Sequence, residues 1–522
     1  MKKPFNRLQY SYTALLDLII CIPFLAIPLI LDLPYRVNIF LSWEGSYRMM
    51  LGQIPFEDFG LPLGFGYWLV PTFFFKILGP ELVTLVKAQV FINAISLLSI
   101  RGILNHLKIK PLLVSLGLLT FCLTYVLFNF WPWYNHSVIV YELVALFCLV
   151  RYLNNPNKTA AELFLALGGL FMFISFFNKQ DGGAMGFFIG LLMLGYHASL
   201  TKKFKPLLIY VITFFLFGFV MVAPFLDNDF LYWFNYGQPP HNSRIGILKL
   251  AEAFFSTAAL WEKSYLTVII LFLIALGKSR FKNLLQDSNL VLLGILTICL
   301  LGQAIVTRVT SPLPTDHMTF FHAFAIVFIF HLADQLYENI EKVQVIIPVT
   351  ILVICLFSGG YWKYIKGVLH LSLSREDATV ERISDPWIKS KVNGFKGVLM
   401  PQETVKGIDN LLSSDIAQKE NLTVLNMSEL TPLALELGYT PPTDQPLWYH
   451  LNVGIFQRGV DTLCARVSRQ EYDIVLFQDI PNLEHFFPYE VRDSLRNTYQ
   501  LQDSFLAPRK MENSTVEVYV RK

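Results

Sequence analysis

Long apolar runs bounded by short polar segments occupy residues 12–32, 81–100, 111–129, 137–151, 162–177, 183–199, 206–226, 264–277, 289–306, 318–336 and 343–359. Hydrocarbon roughly 30 Å thick takes about 20 apolar residues of helix, so these runs predict about eleven spans, with 137–151 and 264–277 short. The first run follows Lys2, Lys3 and Arg7 in the layout of a signal sequence. It lacks a small-x-small cleavage site and is long enough to span, which predicts an uncleaved first helix. From about Tyr361 the pattern changes. "LTVLNM", "YDIVLF" and "STVEVYVRK" read as strands and "EVRDSLRNTY" as helix, while Gly438 and two prolines stop "ALELGYTPP". The expected architecture is an all-α polytopic bundle over residues 1–360, with a first outer loop at 33–80, followed by an extramembrane α/β domain over 361–522.

Charge adds direction. Lys and Arg gather at Lys2/Lys3/Arg7, Arg101/Lys108/Lys110, Arg151/Lys158, Lys202/Lys203/Lys205 and Lys278/Arg280/Lys282, in alternate loops. By the positive-inside rule these loops and the N-terminus are cytoplasmic, and an odd number of spans places the C-terminal domain on the outer face. Composition agrees with a membrane protein: at 54% hydrophobic residues and a mean hydropathy of +0.47 the chain is too apolar for an ordinary soluble enzyme. A net charge of +3 spread along the chain points to no nucleic-acid partner. Five of six cysteines lie within apolar runs, so no disulfide framework is implied.

The remaining loops are rich in aromatics, His, Asp and Asn: "YRVNIFLSWEGSYRMM", "NFWPWYNHS", "FNKQDGG", "DNDFLYWFNYGQPPHNSR" and "TRVTSPLPTDHM". Polar residues collected on one side of a membrane suggest one composite site there. The first of these loops continues as "GQIPFEDFGLPLGFGYW", which gives an acid, a helical stretch, a Gly-x-x-Pro-aromatic turn, an acidic-aromatic pair and an aromatic amphipathic segment. This order resembles the first outer loop of the lipid-dependent GT-C glycosyltransferases, the superfamily of protein O-mannosyltransferases and aminoarabinose transferases.

The resemblance implies a multi-span enzyme, most similar to the bacterial members and so expected in the inner membrane. It implies a polyprenyl-phosphate sugar donor and a lipid, glycan or protein acceptor on the outer face. An acidic residue just after the first span serves such enzymes as general base. The match is Glu44, where the family more often has Asp, and Asp58 is the second acid available. By the same resemblance Arg308 and Lys179 hold the donor phosphate, while Asp181 and His317 contact sugar or acceptor; His136 and Trp133, set among aromatic rings in "WPWYNHS", are candidates for the same contact. A divalent metal is a further expectation, with Asp316 and His317 as candidate ligands.

The chemistry accounts for these residue types independently. Displacing a lipid phosphate from an anomeric carbon needs a base on the incoming hydroxyl, and a carboxylate serves. It also needs cations, or a bound metal, on the leaving phosphate. Aromatic rings such as Trp133 stack on sugars or anchor at the interface. Two other enzyme activities share such donors, those of envelope glycan ligases and polymerases, but these usually carry a large outer loop late in the bundle. A transporter or lipid flippase is the alternative from a different class, with Lys87 and Glu142 as its intramembrane polar residues. A non-catalytic scaffold whose outer domain binds a partner is the third.

Overall fold

The structure is a computed structural model that describes residues 7–36, 39–156, 160–227, 230–234, 246–310, 320–336, 343–373, 387–481, 486–509 and 514–522. The first apolar run forms α1 (Arg7–Ile30), and the segment after it folds back as α2 (Ile39–Met50) and α3 (Leu69–Leu78). The bundle continues with α4 (Leu82–His106), α5 (Pro111–Thr124), α6 (Tyr134–Asn154), α7 (Ala161–Asn178), α8 (Gln180–Thr201) and α9 (Lys205–Val222). Two short helices, α10 (Phe230–Trp233) and α11 (Ile247–Phe255), precede α12 (Leu260–Leu284), α13 (Ser288–Thr310), α14 (Phe321–Leu336) and α15 (Val343–Leu373).

Each of the eleven apolar runs falls in a separate helix, yet among the described residues only eight helices are long and apolar enough to cross a membrane. The three shorter segments are α5, α14 and the Gln344–Gly359 part of α15. At 1.5 Å per residue the 14 residues of α5 span about 21 Å; the helix ends at Tyr125, whose φ of −128° leaves the helical region. Within α12 the chain turns sharply at Gly277, where φ is +68°, a conformation that favours glycine. The outer faces of α1, α9 and α12 leave large apolar side chains such as Ile19, Phe219 and Ile274 exposed. Lipid covers such a surface, and the protein is an integral membrane protein.

At one end of the bundle polar side chains staple the helices. Arg101 of α4 donates to Asp17 of α1 at 2.7 Å, Ser115 of α5 donates to the same carboxylate at 2.6 Å, and Lys110 pairs with Asp334 of α14 at 2.8 Å.

The opposite end carries the C-terminal region. Its main sheet has the order β5 (Val424–Met427), β7 (Ile474–Asp479), β9 (Thr515–Arg521), β8 (Tyr499–Leu506), with β5 and β7 parallel and the rest antiparallel. Five of the six residues of β7 are buried, as a central strand covered on both faces requires. Helices α16 (Gln402–Leu412), α17 (Leu433–Glu436), α18 (Gln457–Ser468) and α19 (Tyr489–Thr498) accompany the sheet. The segments read from sequence as "LTVLNM", "YDIVLF" and "STVEVYVRK" are β5, β7 and β9, and Gly438 follows α17 with a φ of +66°.

Two smaller sheets join this region to the segment after α1. β1 (Leu33–Pro34) pairs in parallel with β4 (Val398–Pro401), itself antiparallel to β3 (Trp387–Lys389), and β2 (Phe59–Gly60) pairs in parallel with β6 (Gln445–Pro446). Tyr35 adds a hydrogen bond from its hydroxyl to the Glu429 carbonyl. The loop between α1 and α4 is therefore built into the C-terminal region, and ten of the twelve residues of α2 are buried.

Candidate functional site

Helix α2 lies between the bundle and the C-terminal region. Gly45 allows this approach, since a Cβ there would lie 2.1 Å from the Trp68 ring, whose Nε1 donates to the Leu41 carbonyl at 3.0 Å. Glu44 and Arg48 are one turn apart on α2, and the guanidinium donates through Nε at 2.9 Å and Nη2 at 2.7 Å to Glu44 Oε1. Its Nη1 donates to Gln53 Oε1 at 3.1 Å and to the Pro442 carbonyl at 2.8 Å, and Gln53 donates to the Pro441 carbonyl at 2.8 Å. The pair is thus buried at the junction with the C-terminal region, its side chains 12% exposed for Glu44 and 2% for Arg48. Among the described residues no hydrogen bond reaches Glu44 Oε2, so the remaining exposure lies on a carboxylate with an oxygen to spare. Burial pushes the Glu44 carboxyl above its ordinary value, and the Arg48 charge partly offsets this. The phenols of Tyr439 and Tyr449, raised chiefly by burial, are raised further by the Glu44 charge.

Asp58 has a different setting. Its Oδ2 accepts from the Ile54 backbone N–H at 2.7 Å, closing the turn before β2, and its carbonyl accepts from Asp444 N at 2.8 Å. The second acid of the loop shapes the turn that enters the β2–β6 pairing.

The predicted phosphate ligands meet at the C-terminal end of α13. Arg308 pairs with Glu262 of α12, whose side chain is wholly buried, and Thr310 donates to Asp181 at the start of α8. Asp181 pairs with Lys179 at 3.3 Å, and the two side chains are 7% and 13% exposed. Two neighbouring groups result, Arg308 with Glu262 and Lys179 with Asp181 and Thr310, and in each the predicted cation is held by a carboxylate. Asp316 and His317 lie outside the described residues, and among the described residues no group of three His, Cys, Asp or Glu is placed to hold a metal.

His136 and Trp133 sit together where the chain enters α6. Their rings are 6.4 Å apart, the His136 carbonyl accepts from Tyr125 Oη at 2.9 Å, and the Arg36 guanidinium lies 5.9 Å from the Trp133 ring. Both are buried, and among the described residues Trp133 Nε1 has no hydrogen-bond partner. Ser42 of α2 donates to the Pro132 carbonyl, tying this group to the first loop. Residues two apart on a helix point about 200° apart, so Ser42 directs one face of α2 at the α6 entry while Glu44 faces the C-terminal region. The structure gathers Arg308, Lys179 and Asp181 in one place and His136 with Trp133 in another. Glu44 stands across α2 from the latter.

Sequence reasoning missed Glu262, the partner of Arg308, and the amides of Asn135 and Asn178, which are buried without hydrogen-bond partners among the described residues. Both asparagines lie inside quoted polar loops, next to the rings and charges that drew attention instead. A Cβ on Gly66 would lie 2.4 Å from Asn178 Oδ1, so that amide is pressed against the first loop. Glu142 is fully buried on α6 and accepts from Gln303 of α13 at 2.7 Å, whereas Lys87 faces outward from α4. The two intramembrane candidates of the transporter reading do not share a path.

These features define a class: an integral membrane protein whose first loop and C-terminal domain fold as one unit over the polar end of a helical bundle. No family model and no curated protein sequence matches the chain. Among solved structures it is similar to ArnT from Cupriavidus metallidurans in the apo state, with 12% identity, 98% of each chain covered and a TM-score of 0.55. It is likewise similar to ArnT from Cupriavidus metallidurans bound to undecaprenyl phosphate, with 10% identity, 97% of each chain covered and a TM-score of 0.50. The chain has an ArnT-like fold.

Proposed function

We propose that the protein is a membrane glycosyltransferase that moves a sugar from a polyprenyl-phosphate donor to a lipid, glycan or protein acceptor at the outer face of a bacterial inner membrane. The supporting observation is the fold, shared over nearly the whole chain with an ArnT structure that holds undecaprenyl phosphate. Lysines and arginines in the loops at the stapled end support a cytoplasmic placement of that end, and hence an outer placement of the C-terminal domain.

In this reading the acceptor O–H gives its proton to Glu44 as its oxygen attacks the anomeric carbon. The C1–O bond to the lipid phosphate breaks with inversion, and the departing phosphate takes the electron pair. The Arg48 guanidinium fixes one carboxylate oxygen, which leaves Oε2 for the proton. Arg308 and Lys179 receive the phosphate, exchanging the carboxylates of Glu262 and Asp181 for another anion. His136 and Trp133, across α2 from Glu44, hold the donor at a point away from its reacting carbon, and the domain over 361–522 selects the acceptor. A divalent metal at Asp316 and His317 would add charge on the phosphate; loss of transfer on chelation, restored by metal, tests that element.

The test is transfer from a labelled polyprenyl-phosphate sugar in membranes that carry Glu44→Gln or Asp58→Asn. The expected result is loss of transfer in the first and retention in the second. Full activity in both variants removes the proposed base, and accumulation of substrate in liposomes without transfer would favour a transporter.

A further inference from the structure

A cleft of about 570 Å³ opens beside the β2–β6 pairing, away from Glu44, between α10 and α18. Its size is that of a small-molecule site, about 300–1,000 Å³. One wall is a single stripe of α18, where Arg458, Thr462 and Arg466 recur every fourth residue. The opposite side presents the rings of Tyr232 and Trp233. Trp233 is seated directly on the first loop, since a Cβ on Gly60 would lie 1.9 Å from its ring. The Arg458 guanidinium lies 4.3 Å from the Tyr232 ring centroid, and Tyr232 in turn meets Phe456 edge-on at 5.7 Å. Three carboxylates, Glu57, Asp227 and Asp444, complete the rim. Arg466 approaches Asp444 and Glu471 no closer than 3.8 Å, longer than a charge-assisted hydrogen bond of about 2.7–2.9 Å.

Charges of both signs decide what suits this cleft. An anion would face three carboxylates and a cation two guanidinium groups, whereas a hydroxyl both donates and accepts. Vicinal hydroxyls match the fork of an arginine and the two oxygens of a carboxylate, and the flat face of a sugar ring matches an indole or phenol. From this juxtaposition we infer that the cleft binds an uncharged, hydroxyl-rich saccharide, the acceptor of the transfer proposed above. The assignment as acceptor rests on that proposal; the assignment as a saccharide site rests on the cleft alone. The wall shared with the first loop explains how an acceptor glycan would be delivered beside the catalytic helix, because Asp444 is hydrogen-bonded to the Asp58 carbonyl and Pro446 belongs to β6.

The experiment uses the full chain in nanodiscs and a panel of neutral di- to tetrasaccharides of glucose, galactose, mannose and N-acetylglucosamine. Binding is read by saturation-transfer difference NMR and by tryptophan fluorescence. At least one saccharide is expected to bind, and Trp233→Ala and Arg466→Gln are each expected to weaken it at least tenfold. Thr462→Trp, which fills the cleft from an exposed helix position, is expected to abolish binding while the thermal melt stays unchanged. In the transfer assay the same variants should raise the acceptor KM and leave the donor KM in place. No binding by any neutral saccharide, or binding that survives Thr462→Trp, overturns the cleft assignment even if transfer is observed. Stronger binding of a sulfated or uronate-containing oligosaccharide overturns it as well. Saccharide binding that behaves as expected in a protein without transfer activity supports the cleft and refutes the enzymatic reading.

Discussion

Replacing Arg48 by Ala removes four hydrogen bonds at once and leaves Glu44 as a buried carboxylate without its counter-charge. Breaking a buried pair from one side costs about 3–5 kcal/mol. The Pro442 carbonyl and the Gln53 amide each lose a donor as well, about 1 kcal/mol apiece. The expected loss is therefore about 5–7 kcal/mol, discounted little for solvent because the two side chains are 2% and 12% exposed. Removing both charges behaves differently. Glu44→Leu with Arg48→Met fills the same space with apolar groups and should return to within about 2 kcal/mol of the parent. Activity should not return with stability, because loss of a general base costs roughly 10²–10⁴ in rate. The assay pairs a thermal melt in detergent with transfer from a labelled polyprenyl-phosphate sugar. A double variant that is stable and fully active would show that the pair only holds the junction together and that the base lies elsewhere. A double variant no more stable than Arg48→Ala would refute the estimate of the pair's cost.

Burial raises the Glu44 carboxyl, so the proposed base takes up its proton above the usual carboxylate range. The acid limb of kcat/KM should accordingly lie at a higher pH than an exposed glutamate gives, and Arg48→Met, which removes the offsetting charge, should move it higher still in a pH–rate profile. Gly45→Ala places a methyl group 2.1 Å from the buried Trp68 ring and should destabilise by at least about 1–3 kcal/mol, visible as a lower melting temperature with the donor KM unchanged in the folded fraction. Arg308→Ala and Lys179→Ala should each raise the donor KM tenfold or more in steady-state assays, and Arg308→Ala should also lower stability because it strands Glu262.

The helices of the bundle were legible because a bilayer demands long apolar runs, and all eleven runs fall in helices, eight of which among the described residues are long and apolar enough to span. Their ends were less so: α5 stops at Tyr125 for conformational reasons that hydropathy does not encode. Three strands of the C-terminal domain, β5, β7 and β9, could be read from their residues, but β8 and the strand partners could not. Nothing in "LDLPYR" or "EDFGLP" announces that Leu33 will pair with Val398 or Phe59 with Gln445. Within the site, Glu44 with Arg48 could be foreseen because i,i+4 spacing is local. The Arg308–Glu262 contact joins separate helices, and no local pattern marks it. The asparagine amides were hidden for another reason: a buried amide has no periodic signature, and its importance shows only when its partners are missing.

The strand pairing of the first loop also orders the protein in time. The α2 helix is made early, but Arg48 finds its Pro442 carbonyl 394 residues further along the chain, and the partner strands of Leu33 and Phe59 also belong to the C-terminal domain. Until that domain has been synthesised and folded, Glu44 sits on a segment with exposed strand edges and an unshielded pair. Under the proposed mechanism a bundle truncated before the C-terminal domain lacks the Pro442 contact of Arg48 and should be inert in the transfer assay.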